Sequence, residues 1–180
     1  MRLLAENCQL LVIDLQERLL PVMHEREALL ERIDVLLQGT DLLGLPVVVS
    51  EQYPKGLGPT SQAVLARVDA APVFAKVSFS VYDDPSLKAA LEANGRTTVV
   101  VCGIEAHVCV LQSALDLLAA GYTVVVVADA ISSRQGSDVF RSLARMQAEG
   151  AVITSVESLL FELTRTSGTP LFKAISALVK

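Results

Sequence analysis

The chain has 180 residues, 52% of them hydrophobic and only 4% aromatic, with a formal net charge of −5. Such a length predicts one domain, residues 1–180, able to bury a core of its own. The acidic balance, scattered Lys and Arg and sparse aromatics exclude a nucleic-acid binder, and no apolar run approaches the ~18 residues of a membrane span.

Near the N-terminus Arg2 is followed by Glu6, Asn7 and Asp14, which interrupt any secretion-signal core, so a cytoplasmic location is expected. Three cysteines without a C-x-x-C pair suggest neither a disulfide framework nor a zinc site. An apolar excess without a span points to a buried subunit interface and hence a homo-oligomer.

Gln9 to Asp14 is predicted as strand 1, with Asp14 at its carboxyl end. Glu25 to Leu43 carries apolar residues at helical spacing and Gly44 closes it. Pro46 to Ser50 is strand 2, Glu51 to Pro59 a Gly/Pro-rich loop, and Ser61 to Val68 a short helix. Pro72 to Lys76 is strand 3, and a helix opens at Pro85 and closes at Gly95. From Thr97 to Gln112 the chain reads as strand 4, a tight turn at Gly103, and the start of a helix that runs from about Ala106 to Ala120. Tyr122 to Ala128 is strand 5 with Asp129 at its end, Ser137 to Glu149 a helix, Ala151 to Thr154 strand 6, and Ser155 to Leu163 a helix. The tail from Thr164 to Lys180 is a loop and a short amphipathic helix.

Strands alternating with helices at this spacing predict a three-layer, doubly wound α/β sheet. Ligands of such sheets bind beyond the carboxyl ends of the strands, where the strand order reverses. Asp14, Glu51, Gln52, Lys76, Cys109 and Asp129 all fall at that rim.

Each of these residues has two readings. Cys109 in the first turn of a helix meets unpaired N–H groups and the positive end of the dipole, which favour a thiolate. Equally, a free cysteine is often a small inert hydrophobe. Asp14 could cap the next helix or pair with Arg18, Lys76 could be solvated, and Asp129 is read foremost as the holder of the Ile131 to Arg134 turn. Together, however, a carboxylate base, a cation and a thiol at one rim supply the parts of a cysteine nucleophile. His107 stands two residues before Cys109, so on a helix it points elsewhere and lines the pocket or packs.

Three segments carry a resemblance: Leu11-Val12-Ile13-Asp14-Leu15-Gln16, Ala75-Lys76-Val77-Ser78-Phe79-Ser80, and Cys102-Gly103-Ile104-Glu105-Ala106-His107-Val108-Cys109-Val110. In this order they resemble the isochorismatase-like, or cysteine hydrolase, superfamily over nearly the whole chain. Ser50 to Thr60 and Asp129 to Arg134 resemble its isochorismatase domain-containing branch. The resemblance implies a Rossmann-like sheet of six parallel strands, order 3-2-1-4-5-6, and an Asp14–Lys76–Cys109 triad. It further implies a cis peptide at Ile104–Glu105 that aims the Glu105 N–H beside the Cys109 N–H as an oxyanion hole. In that strand order Lys76 lies two strands from Asp14, so its loop is expected to fold back over the rim.

Nicotinamidases of this superfamily carry a metal-binding Asp/His cluster after strand 2. Here that loop has no histidine, and His24 and His107 lack a ligand spacing, so neither metal nor other cofactor is expected. Isochorismatases proper lack the nucleophilic cysteine, whereas Cys109 is present. The expected activity is therefore cleavage of a small-molecule amide, imide or ester through a thioester. Gln16, Glu51, Gln52, Phe79 and His107 are the candidate substrate-lining residues. Two alternatives stand beside it: a binding protein that keeps the fold without turnover, and a redox thiol with Cys8 or Cys102 as partner.

Overall fold

The computed structural model describes residues 2–68 and 71–180. Its elements run β1 (Cys8–Ile13), α1 (Arg26–Leu42), β2 (Val47–Gln52), the short helices α2 (Pro54–Leu57) and α3 (Gln62–Leu65), β3 (Val73–Lys76), α4 (Pro85–Ala93) and β4 (Thr98–Ile104). A π-helical turn, Ala106–Val110, leads into α5 (Leu111–Ala119), followed by β5 (Thr123–Ser132), α6 (Gly136–Ala148), β6 (Val152–Thr154), α7 (Val156–Thr164) and α8 (Pro170–Leu178). The six strands form one parallel sheet in the order β3-β2-β1-β4-β5-β6.

Alternation along the strands sorts the core into two layers. Leu10, Val12, Val100, Cys102 and Val125 pack on one face with Ile33, Leu36, Leu159, Leu160 and Ile175 of α1, α7 and α8. Leu11, Ile13, Val99, Val101 and Val124 pack on the other with Leu87, Leu91, Ala114, Leu117 and Met146 of α4, α5 and α6. Every residue of β1 and β4 is buried, as central strands covered on both faces must be. Burial of a large aliphatic side chain stabilises by roughly 1.5–3 kcal/mol, so these valine- and leucine-rich strands fix the register.

Several elements differ from the sequence reading: the Glu51 to Pro59 loop holds the end of β2 and the helix α2, the Ser61 to Val68 helix shortens to Gln62–Leu65, and the helix from Ala106 begins as a π-helical turn. Gly103 is not a turn; it lies inside β4, in register with Ile13, at φ 117°. A Cβ there would collide with the Ile13 carbonyl oxygen, so glycine is required by close strand approach. Strand β5 also continues past Ala128 to Ser132, because a bulge interrupts its pairing: Val101 faces Val126, but Gly103 faces Ile131. Asp129 therefore sits in a bulge rather than at a strand end. Among the described residues no helix is long and apolar enough to cross a membrane.

Candidate active site

The strand order reverses between β1 and β4, and three of the candidate side chains converge beyond that point. Asp14 follows β1 in a left-handed conformation, φ 54°, which Asp tolerates better than most residues but which still marks a constrained position. The conformation is pinned by two backbone bonds, Asp14 N donating to Ser50 O at 3.1 Å and Gln16 N donating to Asp14 O at 2.7 Å. Its carboxylate is held at both oxygens: Ser50 Oγ donates to Oδ1 at 2.7 Å and Lys76 Nζ to Oδ2 at 2.8 Å.

Lys76 reaches Asp14 from two strands away, and the loop that follows it lies over its ammonium. Lys76 ends β3, in register with Gln52 of the intervening strand, and its extended side chain crosses beyond β2. Its ammonium also donates to Gln52 Oε1 at 2.6 Å, Phe79 O at 3.2 Å and Ser78 O at 3.3 Å. The paired side chains are 0% and 1% exposed. Burying two charges is costly, and such a pair persists only where hydrogen bonds satisfy both partners, as they do here.

Cys109 lies in the π-helical turn that follows β4 and its cis Ile104–Glu105 peptide. Its thiol sits against Asp14 and Lys76 and lies 3.8 Å from Gln52 Oε1. The expected depressed thiol pKa is not found. Burial, followed by the neighbouring Asp14 charge, pushes it up to about 12, and the opposing pull of Lys76 is smaller. The helix-start argument fails because desolvation of a 6% exposed group and an adjacent carboxylate both disfavour thiolate. At rest the site holds a neutral thiol beside an ion pair.

The remaining predicted residues separate into groups. Gln16 has its amide wholly taken by backbone: its Oε1 accepts from Gln52 N at 2.8 Å, and its Nε2 donates to Gln52 O at 3.0 Å and Gly58 O at 2.6 Å. It braces the loop that carries α2. Glu51 turns to the far end of that loop, where its Oε1 accepts from Thr60 N and Oγ1. Gln52 bridges Lys76 and Cys109. Phe79 places its carbonyl on Lys76 and its side chain largely in solvent, 53% exposed; Val77 and Tyr53 are exposed as well. His107 engages Ser133 Oγ through Nδ1 at 2.9 Å. Glu105 accepts from Arg134 N and Nε, so its carboxylate is paired across the mouth of β5.

Asp129 takes no part in this cluster, nor does it hold the Ile131 to Arg134 turn. Its Oδ1 accepts from Val156 N at the start of α7, and Oδ2 lies 4.0 Å from Arg32. Arg18, a possible partner for Asp14, donates instead to Gly56 O. The redox pairing is opposed by layer: all three cysteines are free, and Cys8 and Cys102 pack in the core layer opposite to that of Cys109. The sequence reading missed Ser50, whose hydroxyl donates to Asp14; a polar residue directly after the apolar run Val47 to Val49 was the available signal. Among the described residues no group of three or more His, Cys, Asp or Glu is placed to hold a metal ion.

Comparisons with known proteins follow this geometry. The model of the isochorismatase domain family matches residues 8–158. Isochorismatase domain-containing protein 1 of Danio rerio is 45% identical over 93% of this chain, which spans only 59% of that longer protein. The secreted isochorismatase effector Isc1 of Phytophthora sojae is 40% identical, over 99% of this chain and 87% of its own length. Among solved structures, the MAR1 ribonuclease of Caenorhabditis elegans superposes with a TM-score of 0.93 at 35% identity, covering 99% of this chain and 92% of that one.

Proposed function

The chain belongs to the isochorismatase family and has its hydrolase fold, and from that premise we propose that it is a metal-independent cysteine hydrolase of small amides, imides or esters. The observation that carries the reading is the convergence of the fully buried Asp14–Lys76 ion pair on the thiol of Cys109 at the sheet's switch point.

In this mechanism the thiol is not ionised in advance. Asp14 accepts the Cys109 proton as the sulfur attacks the substrate carbonyl; the S–C bond forms, and the C=O π pair moves to oxygen. Lys76 stays beside the carboxylate and offsets the charge that develops on sulfur. The Glu105 and Cys109 main-chain N–H groups, in the segment that presents the thiol, receive the oxyanion. Collapse expels the amine or alcohol, which takes the proton back from Asp14. Water, deprotonated by Asp14, then cleaves the thioester and restores the thiol.

The free thiols fit a reducing, cytosolic compartment, and the exposed Tyr53, Val77, Phe79 and Phe140 fit a homo-oligomer. One observation favours a second reading, a binding protein without turnover: the same burial that raises the Cys109 pKa describes an inert core cysteine. A panel of small amides, imides and esters, run against wild type and Cys109→Ala, decides between them. An RNA oligonucleotide belongs in the panel because the C. elegans relative is named a ribonuclease. The hydrolase reading expects turnover of a panel member that falls at least ~10³-fold in Cys109→Ala. Equal turnover in both proteins defeats the mechanism. RNA cleavage with no amide, imide or ester turnover defeats the substrate class.

A further inference from the structure

Gln52 is the residue of this site whose placement the triad does not explain. Its main chain is clasped at N and O by the two ends of the Gln16 amide. Its side-chain Nε2 donates to Val77 O at 2.9 Å. That bond fixes the orientation of the amide, since reversing it would set two oxygens against each other and two donors against Lys76. The Gln52 oxygen is therefore compelled to face the site. It accepts from Lys76 Nζ at 2.6 Å and lies 3.8 Å from Cys109 Sγ, within reach of the thiol hydrogen.

We propose that Gln52 is a positioning residue that holds the resting thiol neutral and keeps one donor of the Lys76 ammonium engaged until substrate arrives. The inference rests on the hydrolase reading only in placing Cys109 as the nucleophile. The amide oxygen stabilises S–H by accepting from it and disfavours S⁻ by its own negative end. It also draws on the same ammonium that a thiolate would use. Asp14 and Lys76 form a buried ion pair beside the thiol, in which the carboxylate opposes a thiolate more than the ammonium favours it, and Gln52 adds the neutral acceptor that the thiol also reaches. Glu51 is turned to Thr60, Glu105 to Arg134 and the His107 ring to Ser133.

The test is the rate of Cys109 alkylation by iodoacetamide between pH 7 and 10, assigned by peptide mass, in wild type and two variants close to glutamine in size. Gln52→Met removes the acceptor without opening space and frees the Lys76 donor. Its pH profile is expected to move about one unit to lower pH, with the rate at pH 8 rising roughly threefold once the lower nucleophilicity of a less basic thiolate is counted. Gln52→Glu places a like charge beside the sulfur, so its profile moves to higher pH and its rate at pH 8 falls. Opposite shifts, with thermal midpoints near wild type, support the role; a merely structural residue would move both rates the same way through loosened packing. Equal or same-direction shifts overturn it. That failure is distinct from failure of the hydrolase reading, which is scored separately by turnover in Cys109→Ala.

Discussion

Asp14 and Asp129 both look, in the sequence, like aspartates closing an apolar strand, and the structure sends them to opposite duties. Asp14 stands at the switch point in a left-handed conformation, fully buried, with one oxygen on Ser50 and the other on Lys76. Asp129 stands in a bulge of β5, partly exposed, and anchors the start of α7. A carboxylate at a strand terminus is thus not a candidate base by position alone. It becomes one when strand order brings a cation and a nucleophile to the same corner and the packing shuts water out.

The largest expected contrast is in turnover. Asp14→Asn should lower it by ~10²–10⁴-fold, the usual contribution of a general base. Asp129→Asn should leave it within a few-fold of wild type. Comparable losses in the two variants, assayed on the substrate found in the panel, would erase the distinction. Next comes stability at the Asp14 corner. Lys76→Met strands a buried carboxylate and should cost ~3–5 kcal/mol in urea unfolding. The double variant Lys76→Met, Asp14→Asn should regain much of that loss while remaining inactive, because a neutral amide replaces the stranded charge, keeps the acceptor for Ser50 and tolerates the left-handed backbone. If the double variant is no more stable than the single one, the pair's desolvation is not what the rest of the site sustains.

Glycines sharpen the same comparison. Gly103→Ala drives a methyl into the Ile13 carbonyl at a φ of 117° and should cost at least ~2–3 kcal/mol. Gly136→Ala, beside β5, meets only the ring of His24, a half-exposed side chain free to move, and should cost under ~1 kcal/mol. Loss of the α7 anchor in Asp129→Ala belongs in the same small range, about 0.5–2 kcal/mol by analogy with helix caps. A further contrast is in pH dependence. The Cys109 pKa is raised from 9.0 to about 12 in the folded chain, so the fold binds this proton more tightly than the unfolded chain does. The associated stability is full below pH 9 and is lost as pH rises toward 12. Unfolding curves for Cys109→Ala should therefore decline less steeply above pH 9 than those of wild type.

Much of this was legible from residues alone. The valine-rich runs around Val48, Val100 and Val125 announce doubly covered strands, and glycines at 44, 95, 121 and 150 announce the ends of helices. Asp14 and Lys76 follow from their places at strand ends, Cys109 from the first turn of a helix, and their grouping from the family resemblance. Three things could not be read. The bulge in β5 is a mismatch between two strands, and no single strand shows it. The thiol pKa depends on a balance between burial and two charges brought from far along the chain. The division of labour among Gln16, Glu51 and Gln52 depends on which way each amide or carboxylate faces, and nearby residues of similar chemistry give no hint of that.

The placement of the three thiols has a consequence under oxidative stress. Cys109 is the only one with any solvent contact, while Cys8 and Cys102 are sealed in the opposite core layer. A sulfenic acid formed at Cys109 finds no resolving cysteine on its own side of the sheet. Its rescue then depends on an external small thiol, and without one it proceeds to the irreversible sulfinic form. A buried thiol with a raised pKa reacts slowly, so whatever peroxide does to the folded protein should accordingly appear as oxygen added at Cys109 rather than as an intramolecular disulfide, and glutathione added beforehand should divert it into a reducible adduct.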